Sequence, residues 1–267
     1  MSMFVLKGST LQMSNFSINL ETGEFTDPIF TMGYDVFPLW MNIAAEAARK
    51  AEVAAVKLDG IWDGTGRQEI VSLLEAEISA SMQCIVAVAA AIDGFYGSAI
   101  ARAPLKATPS KSKRPRGRHR AILSYFQQKF AIDNQFKQGF EKPLREIFDF
   151  RHAALHSHGK PEELGFHPRH KICMPKKAVV FRAENARIAF EIALKVICYL
   201  MISPRAKFTD LVKHCHASRN WMIPIVSDWL NDHTMDETLA DWFRFGPTRA
   251  MFERKGLLAH WKAPPSR

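Results

Sequence analysis

An arginine and a histidine five residues apart, Arg151 and His156, stand near the end of an amphipathic segment. Arg151 falls within an apolar series of helical spacing, and because a guanidinium keeps its proton it must meet an anion or border a polar cleft. His156 lies about 140° further round the same helix, within reach of a shared ligand. A fixed cation beside a group that titrates near neutrality is the minimum for acting on a phosphodiester without a metal. The apolar series consists of Phe140, Leu144, Ile147, Phe148, Ala154 and Leu155.

A long helix is predicted upstream of this segment, from residue 67 or 68 to about residue 101, because apolar residues recur there at helical spacing. Glu77 and Ser81 interrupt its apolar face. Two polar residues one turn apart on a core face indicate an internal hydrogen-bonded pair or the wall of a cleft. The internal pair is the simpler interpretation, and Glu77 is also a candidate partner for Arg151.

The other segments predict an all-α protein with a small N-terminal β-hairpin and extra C-terminal helices. Short β-like pieces at residues 3–6 and 16–20 are followed by a turn at 21–24. Pro143 is expected in the first turn of the helix that carries Arg151, where its missing N–H does no harm. Further helices are predicted at 38–58, ended by Asp59-Gly60, and at 120–132, 183–202, 208–230 and 236–255, the last two split around Pro224 and Pro247.

A domain division follows from these elements. Residues 1–36 form a β-like appendage, 37–202 a helical bundle with a basic loop at 102–120, and 203–267 a helical extension. An exposed loop is expected at 157–177, followed by a short strand at 179–182.

The formal net charge of +9 is concentrated in one segment. No acidic residue lies between Asp93 and Asp133, whereas the basic residues outside that window equal the 27 acidic residues in number. Such a patch is either a solvated loop or a surface that binds a polyanion backbone. It lacks aromatic residues between Tyr96 and Tyr125, which favours charge attraction over base stacking. The candidate substrate-binding residues are Lys111, Lys113, Arg114, Arg116, Arg118 and Arg120.

Composition argues against several other classes of protein. The longest apolar run, residues 84–92, is halted by Asp93 well short of a membrane span, so no transmembrane helix or membrane partner is expected. The four cysteines are far apart and no secretory signal precedes them, so we expect reduced thiols in a cytoplasmic protein.

A metal site is a competing interpretation, because His152 and His156 lie one helical turn apart and His170 follows on a loop. Ala153 stands where a zinc-protease motif would place its glutamate, and the spacings match no closed cysteine and histidine framework. We therefore predict no metal and no cofactor, with a small zinc site around these three histidines as the alternative.

Arg151, the polar His152, three small or apolar residues and then His156, at the end of an amphipathic helix, resemble the R-x4-6-H motif of the HEPN superfamily. The alanine-rich centre of the upstream helix is similar to the helix that packs on the motif helix in that family. The resemblance covers about residues 67–202. His158 stands where some members have tyrosine, and it offers a second arginine-to-histidine spacing.

What the resemblance implies is an up-and-down helical bundle that pairs as a homodimer and brings two copies of the motif into one cleft. Many members are metal-independent endoribonucleases, often toxins or defence effectors, which adds RNA and an antitoxin or regulatory protein as partners. Arg151 would then bind the scissile phosphate, and His156 would move protons for attack by the ribose 2′-hydroxyl, leaving a 2′,3′-cyclic phosphate. His152 would be a third catalytic residue, and Glu77 and His158 would be accessory residues.

Two other interpretations stay open at this point. A HEPN-like module without catalysis would dimerise or bind a nucleotide or a protein. Arg151 could also pair with Glu77, Glu146 or Asp149, with His156 stabilised by the helix macrodipole.

Overall fold

The computed structural model describes residues 9–14, 29–61, 66–105, 117–132, 134–156, 163–170 and 172–233. These ranges form six α-helices with two small antiparallel sheets of two strands each, which confirms the all-α class. The helices are α1 (Phe37–Ile61), α2 (Arg67–Arg102), α3 (Arg118–Lys129), α4 (Asn134–Leu155), α5 (Ala183–Ile202) and α6 (Thr209–Asp232). The strands are β1 (Ser9–Ser14), β2 (Ile29–Tyr34), β3 (Leu164–Phe166) and β4 (Cys173–Pro175), and a 3-10 turn spans Ala178–Val180.

Small residues bring α1 close to its neighbours α2 and α5. Short alanine side chains allow helix axes to approach closely, so the alanine-rich α1 predicted from composition becomes a central helix. Buried residues of all six helices belong to one continuous hydrophobic core, which extends to Trp229 on α6. The buried alanines of α1 are Ala44, Ala45, Ala47, Ala48, Ala51, Ala54 and Ala55.

An aromatic cluster fixes the last third of α2 against α1 and α3. The Phe95 ring lies 5.3 Å from that of Phe37, 6.0 Å from Phe126 and 6.1 Å from Phe130, measured between centroids. All four side chains are fully buried. Tilted and edge-on ring pairs of this kind restrict the rotation of each helix about its axis. They therefore set the direction in which the neighbouring Asp93 points.

Two glycines of α2 differ in the space beside them, which gives a stability prediction. A Cβ at Gly94 would lie 3.2 Å from Phe37 Cβ and 3.2 Å from Val36 Cγ2, whereas nothing lies within 4 Å of one at Gly97. Gly97→Ala is expected to raise the free energy of unfolding by about 0.5–1 kcal/mol through helix propensity. Gly94→Ala should lose that gain to crowding. Urea unfolding measures both, and an equal gain at the two sites would contradict the close approach of α1 and α2.

The predicted end of α1 at Asp59-Gly60 is wrong, because the helix continues to Ile61. Leu58 is fully buried at this point. The Asp59 carboxylate is held by Arg169 Nη1 at 2.8 Å and lies 3.2 Å from His170 Nε2. These contacts come from the turn between β3 and β4, so the local sequence pattern does not contain them.

Pro143 is not in the first turn of α4, because the helix begins nine residues earlier, at Asn134. Upstream, Phe140 is fully buried, and the Phe136 ring stacks on Tyr199 of α5 with centroids 4.4 Å apart. Burying two phenylalanine side chains is worth about 1.5–3 kcal/mol each, which offsets the roughly 3 kcal/mol cost of a proline inside a helix. Pro224 likewise lies inside a continuous α6 and does not split it.

Smaller differences concern the connections. The expected strand at 179–182 is a 3-10 turn, and the expected loop at 157–177 contains the hairpin of β3 and β4. The N-terminal pair consists of β1 and β2, joined antiparallel with Ser9 opposite Tyr34. The predicted strands at 3–6 and 16–20 and the helix at 236–255 lie outside the described residues.

One helix in the described ranges, α2, is long and apolar enough to cross a membrane by length and composition alone. Its most apolar stretch has a mean hydropathy of 1.8, and 56% of that stretch is buried inside the protein. A core helix passes the same test.

Candidate functional site

The candidate site lies at the C-terminal end of α4, where Arg151 faces α2. Leu144 and Phe148, on the same side of α4, are buried. The Arg151 Nη1 atom lies 3.8 Å from Asp93 Oδ2 on α2, and 39% of the arginine side chain is exposed. This separation is an ion pair beyond hydrogen-bonding distance. Arg151 thus has an anionic neighbour and still presents its guanidinium to solvent.

A second arginine holds the same carboxylate more tightly. Arg118 Nε donates a hydrogen bond to Asp93 Oδ1 at 2.7 Å, and its guanidinium lies 4.7 Å from the centre of the Tyr96 ring. Gly117 precedes it with a φ of +94°, a conformation that favours glycine, at the turn into α3. Because Arg118 is the closer cation, Asp93 neutralises Arg151 only in part.

His152 and His156 are brought together at the same end of α4. Their ring centroids are 4.6 Å apart with planes tilted by 44°, and both residues are exposed. The backbone N–H of His156 donates to the carbonyl of His152 at 3.0 Å, which continues the helical pattern beyond Leu155. Two imidazoles one turn apart can act as a proton acceptor and a proton donor for one solvent-accessible group.

The face of α4 that carries these histidines bears charges of both signs further back along the helix, with Arg145 between Glu141 and Asp149. Lys142, Arg145 and the acidic Glu141 line a shallow depression of about 300 Å³ together with His119 and Arg120 of α3. Arg145 precedes His152 by seven residues, two helical turns, so both lie on one face about 10 Å apart along the axis. Arg120 was predicted as a substrate-binding residue, whereas Lys142 and Arg145 were not singled out because their charges are unremarkable in the sequence.

The structure brings together only part of the predicted set. Arg118 and Arg120 lie at the start of α3, within the candidate site. Lys111, Lys113, Arg114, Arg116 and His158 lie outside the described residues. Asp93 was missed as a site residue, although one signal identifies it: it is the sole acidic residue between Glu77 and Asp133.

Glu77 does not contact Arg151, so that pairing was wrong. It is buried on α2, as is Ser81, and its Oε1 accepts a hydrogen bond from the backbone N–H of Ala183 at 2.8 Å. This carboxylate therefore caps the N-terminus of α5, where the helix dipole favours negative charge. Spacing along α2 predicts the buried face correctly, but it does not reveal which neighbour lies opposite.

Two substitutions of Glu77 distinguish the contribution of its hydrogen bond from that of its charge. Burial raises the pKa of this carboxyl, with the Ala183 bond opposing the rise, so its ionisation disfavours folding as pH increases through that raised pKa. Glu77→Ala should lower the free energy of unfolding at pH 7 by about 1–3 kcal/mol, because the Ala183 N–H loses its acceptor. Glu77→Gln keeps an acceptor and should be clearly more stable than Glu77→Ala at every pH, because neither side chain titrates. Relative to the parent, Glu77→Gln should gain as pH rises above 4.5, since only the parent's carboxyl ionises. Equal losses in both variants, measured by urea unfolding, would contradict the capping role.

The three histidines of the alternative zinc site do not lie together. His170 lies against Asp59 at the far end of α1, whereas His152 and His156 end α4. Within the part of the chain that the structure describes, no group of three or more histidine, cysteine, aspartate or glutamate residues is placed to hold a metal ion.

No protein-family model matches the chain, and neither a curated protein nor a solved structure matches it. What the chain does must therefore be inferred from its own side chains. The likeness to the HEPN superfamily stays a prediction from the motif.

Proposed function

We propose that this protein is a HEPN-like, metal-independent endoribonuclease with Arg151, His152 and His156 as its catalytic residues. The observation that carries the proposal is that the last turn of α4 presents both the partly exposed Arg151 guanidinium and a pair of exposed imidazoles whose ring centroids are 4.6 Å apart. A guanidinium presents several donors in a planar fork that matches phosphate oxygens. A phosphodiester held there would find both charge stabilisation and proton transfer.

The proposed reaction uses the RNA's own nucleophile. His156 accepts the proton of the ribose 2′-hydroxyl as its oxygen attacks phosphorus, and Arg151 stabilises the charge that develops on the non-bridging oxygens. The bond from phosphorus to the 5′-oxygen then breaks, and His152 supplies the proton that the leaving oxygen takes. The products are a 2′,3′-cyclic phosphate and a free 5′-hydroxyl. DNA, which lacks the 2′-hydroxyl, is not cleaved.

The basic residues of α3 and α4 that line the depression supply the proposed path for the RNA backbone. Arg120, Lys142 and Arg145 line one depression, and Arg145 lies on the same face of α4 as His152, so a strand that binds there is led towards the reactive end of α4. Contacts of this kind are made with phosphates and carry no sequence preference. Binding should therefore weaken steeply as salt increases.

Asp93 limits the positive charge of the site, which gives a binding prediction. Asp93→Asn leaves a polar side chain of the same size but releases Arg118 and Arg151 from a carboxylate. We expect RNA affinity at low salt to increase about 1.4- to fivefold, the factor that an exposed ion pair of 0.2–1 kcal/mol represents. Asp210→Asn, at the exposed start of α6, makes the same charge change away from the site. Equal gains in the two variants, measured by fluorescence anisotropy, would show a general charge effect and contradict a local role.

The experiment that tests the proposal is incubation of the purified protein with total RNA in the presence of EDTA. Discrete RNA fragments are expected, and single-stranded DNA of matched sequence should stay intact. RNA that stays intact under conditions in which the protein is folded and binds it would contradict the proposed activity.

The second candidate function is a non-catalytic HEPN-like module that binds a second copy of the chain or another protein. One observation favours it: Leu155, an apolar residue next to His156, is 51% exposed at the end of α4. Sedimentation of the parent and of Leu155→Lys distinguishes the two roles. A dimer that Leu155→Lys dissociates, without any RNA cleavage by the parent, would favour the module. A dimer that cleaves RNA would fit the homodimeric nuclease.

A further inference from the structure

A groove of about 490 Å³ runs between α4 and α5, and it is independent of the candidate nuclease site. Its walls include Ile147 and Phe150 of α4 and Ile188 and Ile192 of α5, with Arg182 at one end. Volumes of this size are typical of small-molecule pockets. The groove faces away from the histidines, because Pro143, Ile147 and Phe150 lie on the side of α4 opposite His152 and His156.

The wall that closes the groove on one side is held in a fixed position. Gly165 of β3 and Val179 of the 3-10 turn both line it. A Cβ at Gly165 would lie 3.1 Å from Val179 Cγ2, so the strand and the turn approach closely only because residue 165 is glycine. Met174 on the paired strand is buried. Close packing therefore fixes the shape of this side of the groove.

Arg182 is a largely buried cation with an unused donor. Its side chain is 21% exposed, and its Nη2 atom lies 3.6 Å from Oε2 of Glu184, which is itself 59% exposed. The buried Arg182 Nε–H has no hydrogen-bond acceptor among the described residues. A buried charged donor without an acceptor costs free energy, and a guanidinium cannot avoid that cost by losing its proton. Because Nε is itself out of contact with solvent, an anion in the groove would meet the terminal N–H groups of the guanidinium and pair with its charge.

The other charges of the groove agree with an anion at that end. Lys176 also lines the groove and is paired with the exposed Glu163 at 2.7 Å, a surface ion pair that competes weakly. Glu146 supplies negative charge on the opposite wall and lies 3.8 Å from Lys142. The remaining surface is mainly aliphatic, which suits an apolar body and disfavours a second charge in the ligand.

We infer that the groove between α4 and α5 binds a small amphipathic monocarboxylate, with its carboxylate on Arg182 and its alkyl body between the isoleucines. The inference goes beyond the proposed RNA cleavage and does not depend on it. A carboxylate accepts charge-assisted hydrogen bonds from the terminal N–H groups of a guanidinium, which fixes the orientation of the ligand.

The test is isothermal titration calorimetry of the whole protein with octanoate below its micelle concentration. Octylammonium and 1-octanol carry the same chain with a different head, and acetate carries the head without the chain. Octanoate should bind, and each of the other three should bind at least about tenfold more weakly, the factor expected for losing a charge-assisted hydrogen bond or most of the buried chain. Inorganic phosphate should bind no better than acetate.

Two variants locate the site. Arg182→Gln should raise the Kd of octanoate about tenfold, whereas Arg187→Gln, a matched change on α5 beside Glu52 and Glu191, should leave it unchanged. Ile188→Trp fills the groove and should also weaken binding, which keeps the test valid if Arg182→Gln impairs folding. Equal binding of octanoate and 1-octanol, or parent-like binding by a folded Arg182→Gln or Ile188→Trp protein, would overturn the inference.

Discussion

Arg151→Ala is expected to lower the rate of RNA cleavage by about two to three orders of magnitude, with the helical fold intact. The proposed role of this side chain is to stabilise charge on the phosphate, and removal of one such donor typically costs about 10²–10³ in rate. His156→Ala should lower the rate by about 10²–10⁴, the usual contribution of a general acid or base. Single-turnover cleavage of a labelled RNA in EDTA measures both losses.

Matched controls separate catalysis from charge. Arg145→Ala removes an equal charge from the same helix, two turns before His152, so it should weaken RNA binding but leave the single-turnover rate at saturating protein unchanged. His216→Ala removes an exposed imidazole from α6 and should have no effect. Parent-like rates for Arg151→Ala and His156→Ala, in variants with unchanged circular dichroism, would rule out the assigned roles.

Acidification from pH 6.5 to pH 4 is expected to lower the free energy of unfolding by up to about 3 kcal/mol through His167 alone. Burial is the main cause that lowers the pKa of this imidazole from 6.5 to about 4, and the neighbouring His170, Arg182 and Arg169 act in the same direction. The unfolded chain therefore takes up a proton below pH 6.5 that the folded protein takes up only near pH 4. The stability contributed by the neutral imidazole is present above pH 6.5 and lost as pH falls.

His214, in another part of the core, also lowers the free energy of unfolding as pH falls. Burial lowers the pKa of this imidazole, although Asp35, with Oδ2 at 3.4 Å from Nδ1, opposes the change. The raised pKa of Glu77 acts the other way, because its protonation in acid favours the folded state. The two histidines should therefore account for most of the free energy of unfolding that is lost in acid.

The loss of stability in acid can be tested by replacing these histidines with residues that do not titrate. His167→Asn and His214→Asn should each lower stability at pH 7 and flatten the decline between pH 6.5 and 4, measured by urea unfolding at each pH. His216→Asn, at an exposed position of α6, should follow the parent curve. A decline that stays as steep in both core variants as in the parent would contradict this account.

Periodicity predicted the long helices well because their apolar residues recur without interruption. α2 and α5 begin and end within about one residue of their predicted bounds, since each buries one face along its whole length. The misplaced ends fall at Gly60, Pro143 and Pro224. At the first two, contacts from distant segments stabilise residues that ordinarily end or begin a helix, and a local pattern does not record such contacts.

The sequence predicted the residue types of the candidate site but not the residues that they contact. Helical spacing placed Arg151 towards the core, and the structure supplies Asp93 where the sequence suggested Glu77. These carboxylates are 16 residues apart on α2, which separates them by about 24 Å along the helix axis and about 160° around it. The placement of α4 against α2 decides which of them Arg151 meets, and helical spacing within either helix does not specify that placement.

Chemical analysis of the RNA ends tests the central claim most directly. RNA incubated with the protein in EDTA should yield fragments that end in 2′,3′-cyclic phosphate and begin with a 5′-hydroxyl. The Arg151→Ala, His156→Ala double variant should yield neither. Fragments that end in 3′-hydroxyl, or identical fragments from the folded double variant, would contradict cleavage by these residues.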